Sequence, residues 1–191
     1  EVGVLLCVEL CSLTLQREDL SIPNLIASGL FGDGAAAVVM TGASRSGQGP
    51  QVVATRSVFF PGTEDVMGWR VGASGFQIVL SSAVPSVARQ LRKHVDEFLA
   101  AAGLALRDID HFVCHPGGPK VLEAFEDSLE LPPGALDLTW RSRREVGNLS
   151  SASVLLVLHD TLEQRRPSPG HHGLLIAMGP GFCAELVLLR W

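Results

Sequence analysis

Two polar residues lie where predicted elements of this sequence begin or end, and both could bind a ligand oxygen. His115 ends the apolar stretch "IDHFVCH" and precedes Gly117 and Gly118. Ligands in α/β sheets lie at the carboxyl ends of strands, and glycine permits close approach to the backbone. Asn148 opens a second apolar stretch, where it either caps a helix or donates its amide to a ligand, beside a positive helix end. Taken alone, either residue could have a purely structural role.

Together, a neutral imidazole and a carboxamide supply two donors for one carbonyl oxygen. A thioester carbonyl that becomes an enolate needs such donors, and each would contribute about 3 kcal/mol. Decarboxylation of a malonyl thioester is the chemistry that this pair favours. The four cysteines and six histidines show no spacing typical of a metal site, so we predict no metal.

Strands and helices alternate along the chain, which predicts an α/β fold. The predicted strands cover 2–10, 31–42, 51–60, 69–80, 109–115, 173–181 and 183–191, and the predicted helices lie in 17–30, 82–102, 119–129 and 148–164. The apolar run 2–10 is typical of a strand that is covered on both faces. The clearest loop is 42–50.

Composition excludes several classes of protein. Of 191 residues, 47% are hydrophobic and 18% are charged, which favours one domain with a subunit interface. The net charge of −5, without a basic run, argues against nucleic-acid binding, and no apolar stretch is long enough to span a membrane. The cysteines lie in apolar, strand-like stretches, which indicates reduced thiols and a cytoplasmic location. Because the chain starts inside a strand, we expect it to be the C-terminal part of a longer protein.

Four motifs in this order resemble type III polyketide synthases, the relatives of chalcone and stilbene synthases: "LFGDGAAAV", "CHPGGPK", "EVGNLSSAS" and "MGPGF". "VELCSLTLQ" and "TEDVMGWRVGASGFQIVLSSAVP" resemble the bacterial branch of that family. The resemblance implies a thiolase-like fold with layered α-β-α-β-α architecture. Residues 1–45 would end its first half, and residues 46–191 would form its C-terminal half.

The resemblance also implies a catalytic Cys–His–Asn set, in which His115 and Asn148 match the histidine and the asparagine. The family's nucleophilic cysteine precedes the position of Glu1, so we expect the nucleophile outside this chain. The implied substrate pocket has gatekeepers Phe31 and Phe76, cavity walls Cys11, Thr14, Met67, Ser150 and Pro180, and a tunnel floor at Gly117 and Gly118.

The implied reaction is decarboxylative condensation of malonyl-CoA onto an acyl-CoA starter held on that external cysteine. CoA thioesters would be the substrates, without a further cofactor, and the enzyme would be a homodimer; this chain alone would be inactive. Two alternatives stay open. One is a fatty-acid condensing enzyme of the ketoacyl synthase III type, or a hydroxymethylglutaryl-type synthase. The other is a non-catalytic thiolase-fold fragment that acts as an interaction module.

Overall fold

The computed structural model describes residues 1–45 and 49–191, and strands alternate with helices along them. The strands are β1 (Val2–Glu9), β2 (Gly34–Thr41), β3 (Gln51–Phe59), β4 (Met67–Gly72), β5 (Gly75–Leu80), β6 (His111–Cys114), β7 (His172–Gly179) and β8 (Cys183–Arg190). The helices are α1 (Ile22–Leu30), α2 (Val84–Ala88), α3 (Leu91–Ala101), α4 (Pro119–Leu129), α5 (Asp137–Val146) and α6 (Ser151–Asp160). The α/β class is confirmed. Part of the predicted loop 42–50, residues 46–48, lies outside the described residues.

The main sheet has the order β3-β8-β7-β6, with β6 parallel to β7 and the other pairs antiparallel. Side chains alternate between its two faces. Cys114 and Ile176 belong to the core shared with α2, α3 and α4, whereas Val113 and Leu175 pack with α6 residues on the other face. Helices therefore cover both faces of this sheet, and His115 leaves it at the carboxyl end of β6.

A second, two-stranded sheet pairs β1 with β2 antiparallel, from Val2 opposite Thr41 to Glu9 opposite Gly34. The prediction that β1 is covered on both faces is wrong for the described residues. Val4, Leu6 and Val8 are 58%, 69% and 67% exposed. The reason is that β1 pairs with β2 and packs mainly against α6, which leaves these side chains exposed.

Two predicted elements are each divided in the structure. The predicted strand 69–80 is a hairpin of β4 and β5, which reverses before Gly75, a residue with φ of +95°. The predicted helix 82–102 is interrupted between α2 and α3, where the Gln90 N–H donates to the Val87 carbonyl, three residues back. That bond replaces the α-helical i to i−4 pattern. The apolar spacing was still informative, because Val87 and Leu91 are buried on the two segments.

Helix α5 was not predicted from the sequence. Its buried residues are Thr139 and Ser142, so it lacks the apolar stripe that identifies an amphipathic helix. In the part of the chain that the structure describes, no helix combines the length and apolar character that crossing a membrane requires.

The chain before α6 is joined to the chain after α1, and this junction fixes the position of Asn148. The Asn148 N–H donates to the Leu30 carbonyl at 2.8 Å, and the Gly32 N–H donates to the Asn148 carbonyl at 3.0 Å. Gly147 permits this approach, because a Cβ built there would lie 2.7 Å from the Leu30 oxygen. Its φ of +76° also lies in the region that favours glycine.

We therefore expect Gly147→Ala to destabilise the protein by about 2 kcal/mol or more, because alanine would be strained at this φ and would collide with a carbonyl. Gly29→Ala is the matched control, since a Cβ there meets no atom within 4 Å and the residue is helical. That control should be neutral or slightly stabilising. Urea denaturation of both variants checks this, and equal stability of the two would contradict it.

Candidate functional site

Two cavities meet at His115 and Asn148. The first cavity has a volume of about 650 Å³ and lies between α1, the start of α2 and the start of α4. The second cavity, of about 470 Å³, lies between the 3₁₀ turn Cys11–Thr14, β4 and the turn that joins β7 to β8. The residues that line both cavities are Phe31, Met67, His115, Asn148 and Met178. The predicted catalytic pair thus lies at the boundary between two largely apolar spaces.

His115 is held by its backbone, and its imidazole faces the cavities. Its N–H donates to the Ile176 carbonyl on β7 at 2.8 Å, and its carbonyl accepts from the Gly117 N–H at 2.9 Å. A Cβ at Gly117 would lie 3.4 Å from His115 Cδ2 and 3.7 Å from Nε2. Glycine at this position therefore keeps a side chain away from the nitrogen that could donate to a ligand.

The Asn148 side chain is 2% exposed and held at both ends. Its Oδ1 accepts the Ser150 N–H at 2.9 Å, and its Nδ2 donates to the Gly117 carbonyl at 3.4 Å. Helix α6 begins only at Ser151, so Asn148 is not the helix cap that one sequence interpretation offered; it stabilises a turn before the helix. Because Oδ1 is engaged by an N–H, the NH₂ group must face Gly117, next to the imidazole.

Burial determines the protonation state of the histidine. It lowers the pKa of His115 to about 4, so the imidazole is neutral near pH 7. A neutral imidazole can donate one hydrogen bond to a ligand without carrying a charge. The site therefore presents two neutral donors, an imidazole N–H and an amide N–H.

Two of the thiols near the site, Cys114 and Cys183, lie in surroundings that make them poor nucleophiles. Cys114 is fully buried beside His115, and burial, with a smaller contribution from Glu126, raises the pKa of its thiol well above the ordinary value. Burial also raises the pKa of Cys183, with Glu185 adding to the effect. Both shifts disfavour the thiolate, which is the reactive form.

The structure brings most of the predicted pocket residues to these cavities. Gly117 and Gly118 line the first cavity, Cys11, Thr14, Ser150 and Pro180 line the second, and Phe31 and Met67 line both. Cys11 lies in the 3₁₀ turn rather than in a strand, because the chain leaves β1 at Glu9, and its Sγ is 3.6 Å from Ser150 Oγ.

Phe76 is not brought to the catalytic pair. It is 52% exposed on β5, outside both cavities, and its ring packs edge-to-face against Trp69 with centroids 6.1 Å apart. Trp69 itself lines the second cavity. The predicted gatekeeper therefore contacts the second cavity only through the neighbouring tryptophan.

Sequence reasoning missed Met178, which lines both cavities, and Glu9, which lines the second. Glu9 accepts hydrogen bonds from the Ser151 N–H and hydroxyl and so ties β1 to the start of α6. The sequence signal for Glu9 was that it is the one carboxylate in the otherwise apolar run 2–10. Among the residues that the structure describes, no three His, Cys, Asp or Glu side chains come together as a metal site.

Comparison with known proteins gives consistent matches along the chain. A model of the family described as chalcone and stilbene synthases, C-terminal domain, matches residues 51–191. The chain is 60% identical over 195 residues to 1,3,6,8-tetrahydroxynaphthalene synthase of Streptomyces peucetius subsp. caesius, covering 100% of this chain and 52% of that protein.

Solved structures give the same result. The crystal structure of 1,3,6,8-tetrahydroxynaphthalene synthase from Streptomyces coelicolor A3(2), a bacterial type III polyketide synthase, matches with a TM-score of 0.94 at 34% identity, over 100% of this chain and 54% of that one. PKS-I from the brown alga Ectocarpus siliculosus matches with a TM-score of 0.87 at 28% identity, over 100% of this chain and 52% of that one. The chain thus spans about half the length of these relatives.

The lowered pKa of His115 predicts a pH dependence of stability. The unfolded histidine, with an ordinary pKa of 6.5, binds a proton before the folded one does, so stability falls as the pH drops from about 6.5 to about 4. Between pH 7 and pH 5 the His115 contribution should fall by about 2 kcal/mol. Urea denaturation at both pH values, compared with His115→Gln, isolates this contribution. An equal loss of stability in the variant would show that other groups cause it.

Proposed function

This chain belongs to the family of chalcone and stilbene synthases, and we propose that it carries the decarboxylation site of a type III polyketide synthase. Its α/β fold is thiolase-like, as in the type III polyketide synthases whose structures it matches. We assign residues 1–45 to the end of the first thiolase-like half and residues 46–191 to the C-terminal half. The nucleophilic cysteine then lies outside this chain, in the other half of the enzyme.

The observation that carries the proposal is the pair of neutral donors at the boundary of the two cavities. The thioester oxygen of malonyl-CoA would accept hydrogen bonds from His115 Nε2 and Asn148 Nδ2. As carbon dioxide leaves, the electron pair of the broken C–C bond forms the enolate, whose charge collects on that oxygen. Donors that are already in place stabilise this charge more than the neutral carbonyl, which lowers the barrier.

The enolate carbon would then attack the acyl group held on the external cysteine, and the thiolate would leave. A thiolate next to His115 favours the imidazolium, so the pKa of His115 would rise in the acyl-free enzyme. The same residue would thus pair with the thiolate in one step and donate as a neutral group in another. The first cavity would admit the CoA thioester, and the second would hold the growing chain.

The relatives also support a class of product. The 60% identity to the Streptomyces peucetius enzyme supports 1,3,6,8-tetrahydroxynaphthalene, formed with malonyl-CoA as the carbon source. We further propose that the enzyme is a homodimer that uses CoA thioesters without an added cofactor. A cytoplasmic location fits the four free cysteines of this chain. Mass spectrometry of the products from malonyl-CoA tests this. A single condensation product would favour the ketoacyl synthase III alternative.

We expect Asn148→Asp to reduce malonyl-CoA decarboxylation by the full enzyme about 10²- to 10³-fold. The aspartate keeps an oxygen to accept the Ser150 N–H, so the turn is retained, but it loses the donor that the enolate needs. His115→Ala should give a loss of similar size, because it removes the other donor to the enolate oxygen.

The matched control is Cys183→Ala, which changes the second cavity without removing either donor. Decarboxylation is measured by release of labelled carbon dioxide, with circular dichroism to verify the fold. Wild-type rates in folded Asn148→Asp and His115→Ala proteins would refute the assignment of the two donors.

A further inference from the structure

The hairpin of β4 and β5 forms one wall of the second cavity. Trp69 on β4 and Ile78 on β5 line that cavity, and Met67 at the base of the hairpin lines both cavities next to the catalytic pair. These side chains share one face of the hairpin, because Trp69 and Ile78 are cross-strand partners and Met67 lies two residues before Trp69. The position of the hairpin therefore determines the shape of the second cavity.

This wall has little support of its own. The hairpin is a separate two-stranded sheet, and such a sheet is marginally stable by itself. Trp69 and Ile78 also line a third cavity of about 430 Å³, which lies against α1 at Ala27 and Ser28. Because each of these two side chains borders two cavities, fewer packed atoms hold the wall in place.

One buried side chain fixes the hairpin near its tip. Gln16 is 9% exposed, and its Nε2 donates to the carbonyls of Ser74 and Phe76, each at 3.0 Å. Among the described residues, no other side-chain hydrogen bond joins the hairpin to a different element, since the Gln77 amide donates to Ser74 Oγ within the hairpin. Both amide hydrogens of Gln16 are thus used, and removal of this donor would leave two carbonyls without their partner.

The backbone of Gln16 is itself tied to α1. Its carbonyl accepts a hydrogen bond from Asn24 Nδ2 at 2.9 Å, and Asn24 is buried. Asn24 lies on α1, which ends at Leu30, the residue whose carbonyl accepts the Asn148 N–H. The same helix therefore positions the amide donor at one end and, through Gln16, the cavity wall at the other.

We propose that Gln16 is a positioning residue that sets the length of the polyketide product by holding the hairpin of β4 and β5 against the second cavity. This inference rests on the proposed function, because it takes the second cavity as the space of the growing chain. Gln16 lines neither the first nor the second cavity, so it acts on the product only through the hairpin. When the tip is released, the wall moves, and the cavity no longer favours one chain length.

The first test compares the products of the full enzyme and its variants. Gln16→Met removes both donors without adding a charge, and Gln16→Glu keeps the shape of the side chain but replaces the NH₂ group by an oxygen. In either variant, the share of polyketides that differ in length from the main wild-type product should rise about 10-fold, as measured by mass spectrometry. Release of labelled carbon dioxide from malonyl-CoA should be nearly unchanged, because His115 and Asn148 keep their positions.

Gln77→Met is the matched control, since this amide donates only to Ser74 within the hairpin. It should give the wild-type distribution of products. A wild-type distribution in folded Gln16→Met and Gln16→Glu proteins would overturn the inference. A parallel loss of carbon dioxide release and of every product would overturn it as well, because it would indicate a general loss of structure.

A second measurement does not depend on catalysis. Arg70 is exposed on β4, so cleavage by trypsin after Arg70 reports how often the hairpin opens. In the full enzyme, Gln16→Met should increase the rate of this cleavage about 10-fold relative to Gln77→Met, as followed by mass spectrometry of the fragments. Equal rates would contradict the anchoring role of Gln16. Faster cleavage, together with a wild-type enzyme that forms no polyketide, would instead refute the proposed function and support Gln16 as the anchor.

Discussion

The site depends on one short segment, Gly147 to Ser150, in which backbone and side-chain hydrogen bonds fix an amide. The backbone of Asn148 pairs with the chain around Phe31, and its side chain bonds to Ser150 and Gly117. The first set of bonds joins the element between α1 and β2 to the start of α6, and the second joins α6 to the loop after β6. Because one residue makes all these contacts, Asn148 holds the end of α1, the loop after β6 and the start of α6 in fixed positions around both cavities. A shift of α1 or of the loop after β6 would therefore move the donor that the chemistry requires.

Burial is the second constraint, and it shifts the pKa values of two neighbouring residues in opposite directions. It keeps His115 neutral, which suits a hydrogen-bond donor, and it keeps Cys114 protonated, which suits a core thiol. The two residues are adjacent in sequence but face different surroundings at the end of β6, as alternation along a strand requires. The proposed partnership of His115 with an external thiolate follows the same physics, since a nearby negative charge counteracts the effect of burial.

Sequence reasoning recovered what depends on local pattern. The α/β class and the strand that ends at His115 came from apolar runs, whereas the cavity positions of Cys11, Thr14 and Pro180 came from the family resemblance. It failed where a neighbour in space decides the outcome. The break before Leu91 depends on one hydrogen bond, α5 buries polar residues rather than an apolar stripe, and the exposure of β1 depends on which elements pack against it. Phe76 is a further example, because the pairing of β4 with β5 places its ring against Trp69, and the local sequence around Phe76 does not predict that contact.

The most direct test of the account is a crystal structure of the full enzyme with a non-hydrolysable malonyl-CoA analogue, in which an amide replaces the thioester. The account predicts that the carbonyl oxygen of the analogue lies about 3 Å from both His115 Nε2 and Asn148 Nδ2, with its acyl end directed toward the second cavity. A carbonyl oxygen bound by other groups, with the imidazole and the amide left unoccupied by the ligand, would contradict it.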